Sequence, residues 1–162
     1  MFNNNLIKKA KFIVDDLKKA KRTLSTAESC TGGLLSALIT EIPGSSEVFL
    51  SGYVTYCNKS KIETLTVPTY FIEDFGAVSS ETAIAMAEGS LLIAHSDFAI
   101  SITGIAGPDG GTLEKPVGLV FIALAVKNAK TSVYKFQFSG DRSSVRLQTV
   151  DTALELLKDR LT

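Results

Sequence analysis

Apolar residues recur at helical spacing from the start of the chain. Leu6, Ala10, Ile13, Val14 and Leu17 fall on one face with lysines between them, which predicts an amphipathic surface helix. RTLSTA, residues 22–27, then reads as a short strand, and TGGLLSALITEI as a helix stopped by Pro43-Gly44. VFLSGYVTY is rich in β-branched and aromatic residues and predicts a second strand, followed by a helical turn or two in NKSKIETL. A long helix is predicted over residues 79–96, capped by Ser79 or Ser80 and burying Ala83, Ile84, Ala87, Leu91 and Ile93. DFAISITG and VGLVFIALAV are continuously apolar strands, separated by the glycine- and proline-rich loop IAGPDGGTLEKP. TSVYKFQFSG alternates with period two, as a strand with one more exposed face does. A final helix over residues 141–161 presents Val145, Val150, Ala153, Leu154 and Leu157 to the core. The order αβαβααβββα predicts an α/β fold, a three-layer α/β/α sandwich with a central mixed sheet, formed as one domain over residues 1–162.

Composition narrows the classes of function. With 17 basic and 17 acidic residues, the chain has no overall field to hold nucleic acid or an anionic membrane surface. The segment before Arg22 has no apolar run long enough for a signal peptide or a membrane span, and its lysine-rich face lacks aromatic anchors. Cys30 and Cys57 show no repeated spacing, which predicts reduced thiols and a cytoplasmic location. No histidine or cysteine cluster has metal-ligand spacing, so neither a metal nor another cofactor is expected.

Four segments hold candidate chemistry. Ser29 follows a buried strand and precedes a helix, where N–H groups of Cys30, Thr31, Gly32 and Gly33 could stabilise an oxyanion. The same spacing fits Ser29 or Thr31 as a simple helix cap, and Cys30 as a rival nucleophile or a small buried residue. The lone histidine, His95, belongs to a helix C-terminus, a poor place for the base of a triad. A lysine desolvated until it is neutral can serve instead, and Lys61, just beyond an apolar strand, is the candidate; a solvated Lys61 is the ordinary alternative. Thr103 and the glycines Gly104, Gly107, Gly110 and Gly111 form a loop whose N–H groups could cradle an anion, without the ending of a Walker A loop. Arg142, in the first turn of the last helix, either meets an anionic partner or remains solvated beside Asp141, with Arg146 on the same face.

Taken together, STAESCTGG, VTYCNKSK, FGAVSSETAIAMAEG, ITGIAGPDGGTLEKPVG and FSGDRSSVR resemble the CinA C-terminal domain family, also called nicotinamide-nucleotide amidase. The resemblance runs from about Leu6 onward. It implies hydrolysis of the carboxamide of nicotinamide mononucleotide (NMN) to nicotinate mononucleotide and ammonia, without a metal. By the same resemblance Ser29 is the nucleophile, Lys61 the general base and Tyr56 an assisting hydroxyl. Thr103 and the Gly104–Gly111 loop shape the pocket, and Arg142 is a candidate for the nucleotide phosphate. Family sequences often read Tyr-Ser-Asn-x-x-Lys here, whereas this chain has Cys57 in place of the serine and a rival base at Lys59. Homo-oligomers, commonly dimers, are implied as well. Some family chains carry a larger domain resembling molybdopterin-binding proteins, whose activity is not expected of these residues. Two other readings remain: a non-catalytic nucleotide-binding or interaction module, in line with the family's competence-and-damage-inducible name, and an amidase for a different small amide.

Overall fold

The computed structural model describes residues 2–162. Their elements are α1 (Asn4–Ala20), β1 (Leu24–Glu28), α2 (Leu34–Thr40), a 3-10 turn (Ser45–Glu47), β2 (Phe49–Val54), α3 (Asn58–Leu65), α4 (Thr69–Phe75), α5 (Ser80–Ala94), β3 (Phe98–Gly104), β4 (Leu119–Val126), β5 (Ser132–Gln137) and α6 (Arg142–Leu161). The five strands make one mixed sheet in the order β2-β1-β3-β4-β5. The first three are parallel, and the last two join as antiparallel neighbours.

Side-chain size, more than polarity, separates the two faces of the sheet. On β3, Ile100 and Ile102 join Leu24 of β1 and Ile122 of β4 in the large core beneath α1, α2 and α6. The intervening Ala99, with Ala123 and Ala125 of β4, faces Ala83 and Ala87 of α5. These small pairs let α5 lie close to the sheet, since a strand alternates its side chains with period two. Polar atoms trapped on that face are paired. Ser25 Oγ meets Ser90 Oγ at 2.8 Å and Ser96 Oγ at 2.9 Å, and Ser101 Oγ donates to the Ala83 carbonyl. Helices α1, α2 and α6 cover one face and α3, α4 and α5 the other, giving the expected three-layer sandwich.

Three expectations need correction. A helix, α4, was not anticipated between Pro68 and Gly76; it buries no residue fully, and only Phe71 and Ile72 pack against the small core of Leu65, Val67 and Met86. On α5, Ile93 is exposed and Ile84 and Leu91 are only partly buried, whereas Met86, Gly89 and Ser90 are buried. Finally, α2 begins at Leu34, three residues later than the pattern suggests, because Gly32 and Gly33 take φ of +58° and +90° and form a turn first.

This topology gathers chemistry at one edge. The carboxyl ends of β1, β2 and β3 lie side by side, and the connections leave β1 toward β2 but β3 toward β4. The carboxyl ends of β1 and β3 are therefore the usual place for a ligand in an open α/β sheet. Ser29 continues the ladder there, its N–H donating to the Ile102 carbonyl at 2.9 Å.

Candidate active site

Ser29 and Lys61 meet at this edge although they come from different strand ends. Lys61 begins the second turn of α3, whose first turn is capped by Cys57 Sγ accepting from the Ser60 N–H. Its Nζ stands 3.0 Å from Ser29 Oγ. It also lies 2.7 Å from the Thr55 carbonyl oxygen and 3.2 Å from that of Tyr56. Lys61 is 1% exposed and Ser29 7%. Among the described residues no carboxylate forms an ion pair with Lys61. Burial without a counter-ion pushes the amine pKa below its ordinary value, only partly opposed by the nearby Cys57 and Cys30 thiols. An uncharged amine has two N–H groups and one lone pair. Two carbonyls can take the N–H groups, which leaves the lone pair for the Ser29 hydroxyl.

The rival groups are placed differently. Lys59 projects into solvent beside Glu63. Cys30 is buried, and desolvation pushes its thiol up to about 11, so it holds its proton at neutral pH. His95 is exposed at the αL C-cap of α5, near the opposite end of the strands.

The turn after Ser29 does not use its N–H groups as the sequence suggests. Gly32 N–H donates to the Ser29 carbonyl and Leu34 N–H to the Thr31 carbonyl. Gly33, Leu35 and Ser36 N–H all donate to the Glu28 carboxylate, at 3.1, 3.1 and 2.8 Å. Ser36 Oγ adds a fourth contact at 2.6 Å. Of the four N–H groups expected to hold an oxyanion, those of Gly32 and Gly33 are thus committed, and those of Cys30 and Thr31 donate to no other residue among the described residues. Neither the Ser29 nor the Thr31 side chain caps α2, whose Leu35 and Ser36 N–H groups belong to Glu28. A carboxylate buried without a cation loses several kcal/mol of hydration, and donors worth about 1.5–3 kcal/mol each to a charged group offset that loss. Glu28 was absent from the sequence-based candidates. The signal was there: Leu24, Thr26 and Glu28 share one face of β1 by period two, and Thr26 Oγ1 meets Ser36 Oγ at 2.8 Å.

Tyr56 and Arg142 form the outer part of the site. Tyr56 is 59% exposed, and its hydroxyl accepts from Arg142 at 2.8 Å while a second Arg142 nitrogen donates to the Gly107 carbonyl at 2.8 Å. Arg142 is therefore neither free nor paired with Asp141, whose carboxylate caps α6 by accepting from Ser144 N–H. It fastens the loop after β2 to the loop after β3. Arg146 donates to the Thr31 carbonyl at 2.7 Å, tying α6 to the turn that follows Ser29. Thr103 is buried, and its hydroxyl donates to the Ala77 carbonyl at 2.7 Å and so is not free for a ligand. Gly104 closes β3 opposite Val120, and Gly110 and Gly111 lie in the exposed part of the loop. Lys115 Nζ anchors that loop to the Phe75 carbonyl at the end of α4.

Among the described residues no group of three or more His, Cys, Asp or Glu side chains is placed to hold a metal ion. No helix among them is long and apolar enough to cross a membrane.

Comparison with known proteins gives this arrangement a family. The profile of the CinA C-terminal domain matches residues 6–161. A CinA-like protein of Endomicrobium trichonymphae is 55% identical over 145 residues, which is 90% of this chain and 34% of that protein. One from Geotalea uraniireducens is 53% identical over 139 residues, 86% of this chain and 33% of the relative. This chain thus spans about a third of the length of the curated relatives it matches. Among solved structures, the competence/damage inducible protein CihA from Agrobacterium tumefaciens superposes with a TM-score of 0.96 at 44% identity, covering 98% of this chain and 97% of that one. A CinA superfamily protein from Escherichia coli gives a TM-score of 0.91 at 30% identity, over 97% and 92% of the two chains.

Proposed function

This chain belongs to the CinA C-terminal domain family, and from that membership and the Ser29–Lys61 geometry we propose that it is a serine amidohydrolase acting on the carboxamide of nicotinamide mononucleotide. The observation that carries the reading is a buried lysine with no counter-ion among the described residues, its Nζ 3.0 Å from the hydroxyl of a serine at the carboxyl edge of the sheet. Serine becomes a useful nucleophile only when a base removes its proton, and a desolvated lysine amine is such a base.

The reaction then proceeds through groups already described. Lys61 Nζ takes the Ser29 proton as Oγ bonds to the carboxamide carbon. Charge passes to the amide oxygen, and the Cys30 and Thr31 N–H groups receive it. The C–N bond breaks as the Lys61 ammonium returns a proton to the departing nitrogen, which leaves as ammonia. Water, deprotonated by Lys61, attacks the ester on Ser29 and releases the carboxylate, and Oγ recovers its proton. No step draws on His95, Cys30 Sγ or a metal.

For the rest of the substrate, the clasp of Arg142 on Tyr56 and Gly107 is the cationic feature of the rim. A ribotide phosphate arriving there would take Arg142 from neutral acceptors, since a charge-assisted contact is the stronger one. Ammonia release from NMN, nicotinamide riboside and nicotinamide by the purified protein tests both halves of the proposal. Release from NMN well above that from the other two is expected. Release from none over a broad pH range rejects the amidase, and equal release from all three rejects the ribotide specificity.

A further inference from the structure

Glu28 stands directly before the nucleophile, yet no step above uses it. Its side chain is fully buried and forms no ion pair among the described residues. One carboxylate oxygen accepts from Ser36 N–H and Ser36 Oγ, and the other from Gly33 N–H and Leu35 N–H. All four neighbours are donors, so the site is built for an acceptor-only group. A glutamine there would place two N–H donors against backbone donors. An aspartate, one methylene shorter, would not reach both edges of the turn.

These contacts decide how the segment from Cys30 to Ser36 presents itself. Without the carboxylate, the Gly33, Leu35 and Ser36 N–H groups that it now binds would be free donors at the start of α2 and would draw negative charge toward the helix. With it, those donors are satisfied internally. The intervening turn is closed by Gly32 N–H on the Ser29 carbonyl and steadied by Arg146 on the Thr31 carbonyl. The geometry points to Glu28 as a positioning residue: its carboxylate fixes the turn over residues 29–33 so that Ser29 Oγ faces Lys61 and the Cys30 and Thr31 N–H groups are left to the oxyanion. This assignment rests on the serine/lysine reading of the site. Glu28 touches no reacting atom and works by holding those that do.

A positioning role and a purely structural one part company in kinetics. Donors aimed at a developing oxyanion act on the transition state, so disturbing them lowers kcat with little change in KM. Losing one such donor typically lowers kcat by about 10²–10³-fold. Glu28→Gln is therefore expected to lower kcat for NMN about a hundredfold or more, with KM held within about threefold. It should weaken pyridine-3-boronic acid, which Ser29 captures as a tetrahedral anion, in the same proportion. Ser36→Ala keeps a good helix former and three of the four contacts, so it folds and lowers kcat by a smaller factor, about three- to tenfold. Thermal unfolding is followed for each protein, with Ser29→Ala alongside.

If Glu28→Gln unfolds at a lower temperature but its folded form keeps full kcat and boronate affinity, Glu28 is only a helix cap and the assignment fails. If Glu28→Gln does not fold, Ser36→Ala decides, and an unchanged kcat there overturns the assignment. A fully inactive Ser29→Ala beside a fully active Glu28→Gln rejects the role of Glu28 alone. Turnover retained in Ser29→Ala rejects the serine/lysine reading, and the positioning role falls with it.

Discussion

Lys61→Met keeps an aliphatic chain of similar length and removes the nitrogen that stands 3.0 Å from Ser29 Oγ. As general base this nitrogen should contribute about 10²–10⁴ to kcat, so the variant loses that factor while NMN still binds. Its pH dependence is the sharper test. Burial lowers the folded pKa, and the active form is the neutral amine, so kcat/KM rises with pH and levels off below the ordinary lysine value of 10.5. Stability follows the same ionisation. Between the folded pKa and 10.5 the unfolded chain binds more protons than the folded one, so Lys61 makes folding more favourable as pH rises through that window. Below the folded pKa both states hold the proton, and the destabilisation from burying an ammonium is at its full, constant size. The maximum slope for one proton is about 1.4 kcal/mol per pH unit. Methionine also leaves the Thr55 and Tyr56 carbonyls without this donor. That loss, about 1–3 kcal/mol for each group left unpaired, does not vary with pH and drops out of the slope. Urea unfolding of both proteins from about pH 6 to about pH 11 should therefore show wild type gaining on Lys61→Met as pH rises. A constant difference across that range, or a kcat/KM profile that turns only at the ordinary lysine value, would refute the buried neutral base.

Arg142→Ala unfastens the loops after β2 and β3, and NMN binding should weaken by about tenfold to a hundredfold more than nicotinamide riboside binding. Arg142→Lys should recover part of that difference, while equal losses for both ligands would leave Arg142 as a loop clasp only. Iodoacetamide at neutral pH should label Cys57, which is exposed and whose thiol pKa is lowered by its hydrogen bonding with the Ser60 side chain and N–H, and spare Cys30; peptide mass analysis showing Cys30 labelled in folded protein would contradict its burial. Lys59→Met should keep turnover within roughly twofold, because its ion pair with Glu63 is solvent-exposed. An inactive Lys59→Met beside an active Lys61→Met would move the base to residue 59.

The parts of this fold legible in the sequence are those with strong contrast between faces. The five core positions anticipated on α1 are its five buried ones, and all five anticipated on α6 are buried, with Thr149 beside them. Helix α5 offers little contrast: AIAMAEGSLLIA is apolar nearly all round, so the packing of α3 and the sheet against it, not periodicity, selects Met86 and Gly89 over Ile93. At Gly89 an added Cβ would lie 2.0 Å from the Leu65 carbonyl oxygen, a contact between helices that no local pattern contains. At the site, strand-end positions were readable, which is why Ser29, Lys61 and Arg142 all appear at one edge. Their distances depend on the parallel pairing of β1 with β2 and β3, which is non-local. The commitment of the Gly33, Leu35 and Ser36 N–H groups to Glu28 was hidden for a different reason. A glutamate ending a strand reads as solvated until a helix N-terminus is seen above it.

The most direct test of the account is ammonia release from NMN by Ser29→Ala beside wild type, at a pH where Lys61 is neutral and with the folded fraction of each measured. Ser29 Oγ caps no helix, and its loss removes one buried contact of Lys61 Nζ, so the variant should stay folded, at a cost of about 1–3 kcal/mol. The account predicts a folded protein that binds NMN and releases no ammonia above a blank. A folded Ser29→Ala that releases ammonia at the wild-type rate would contradict it.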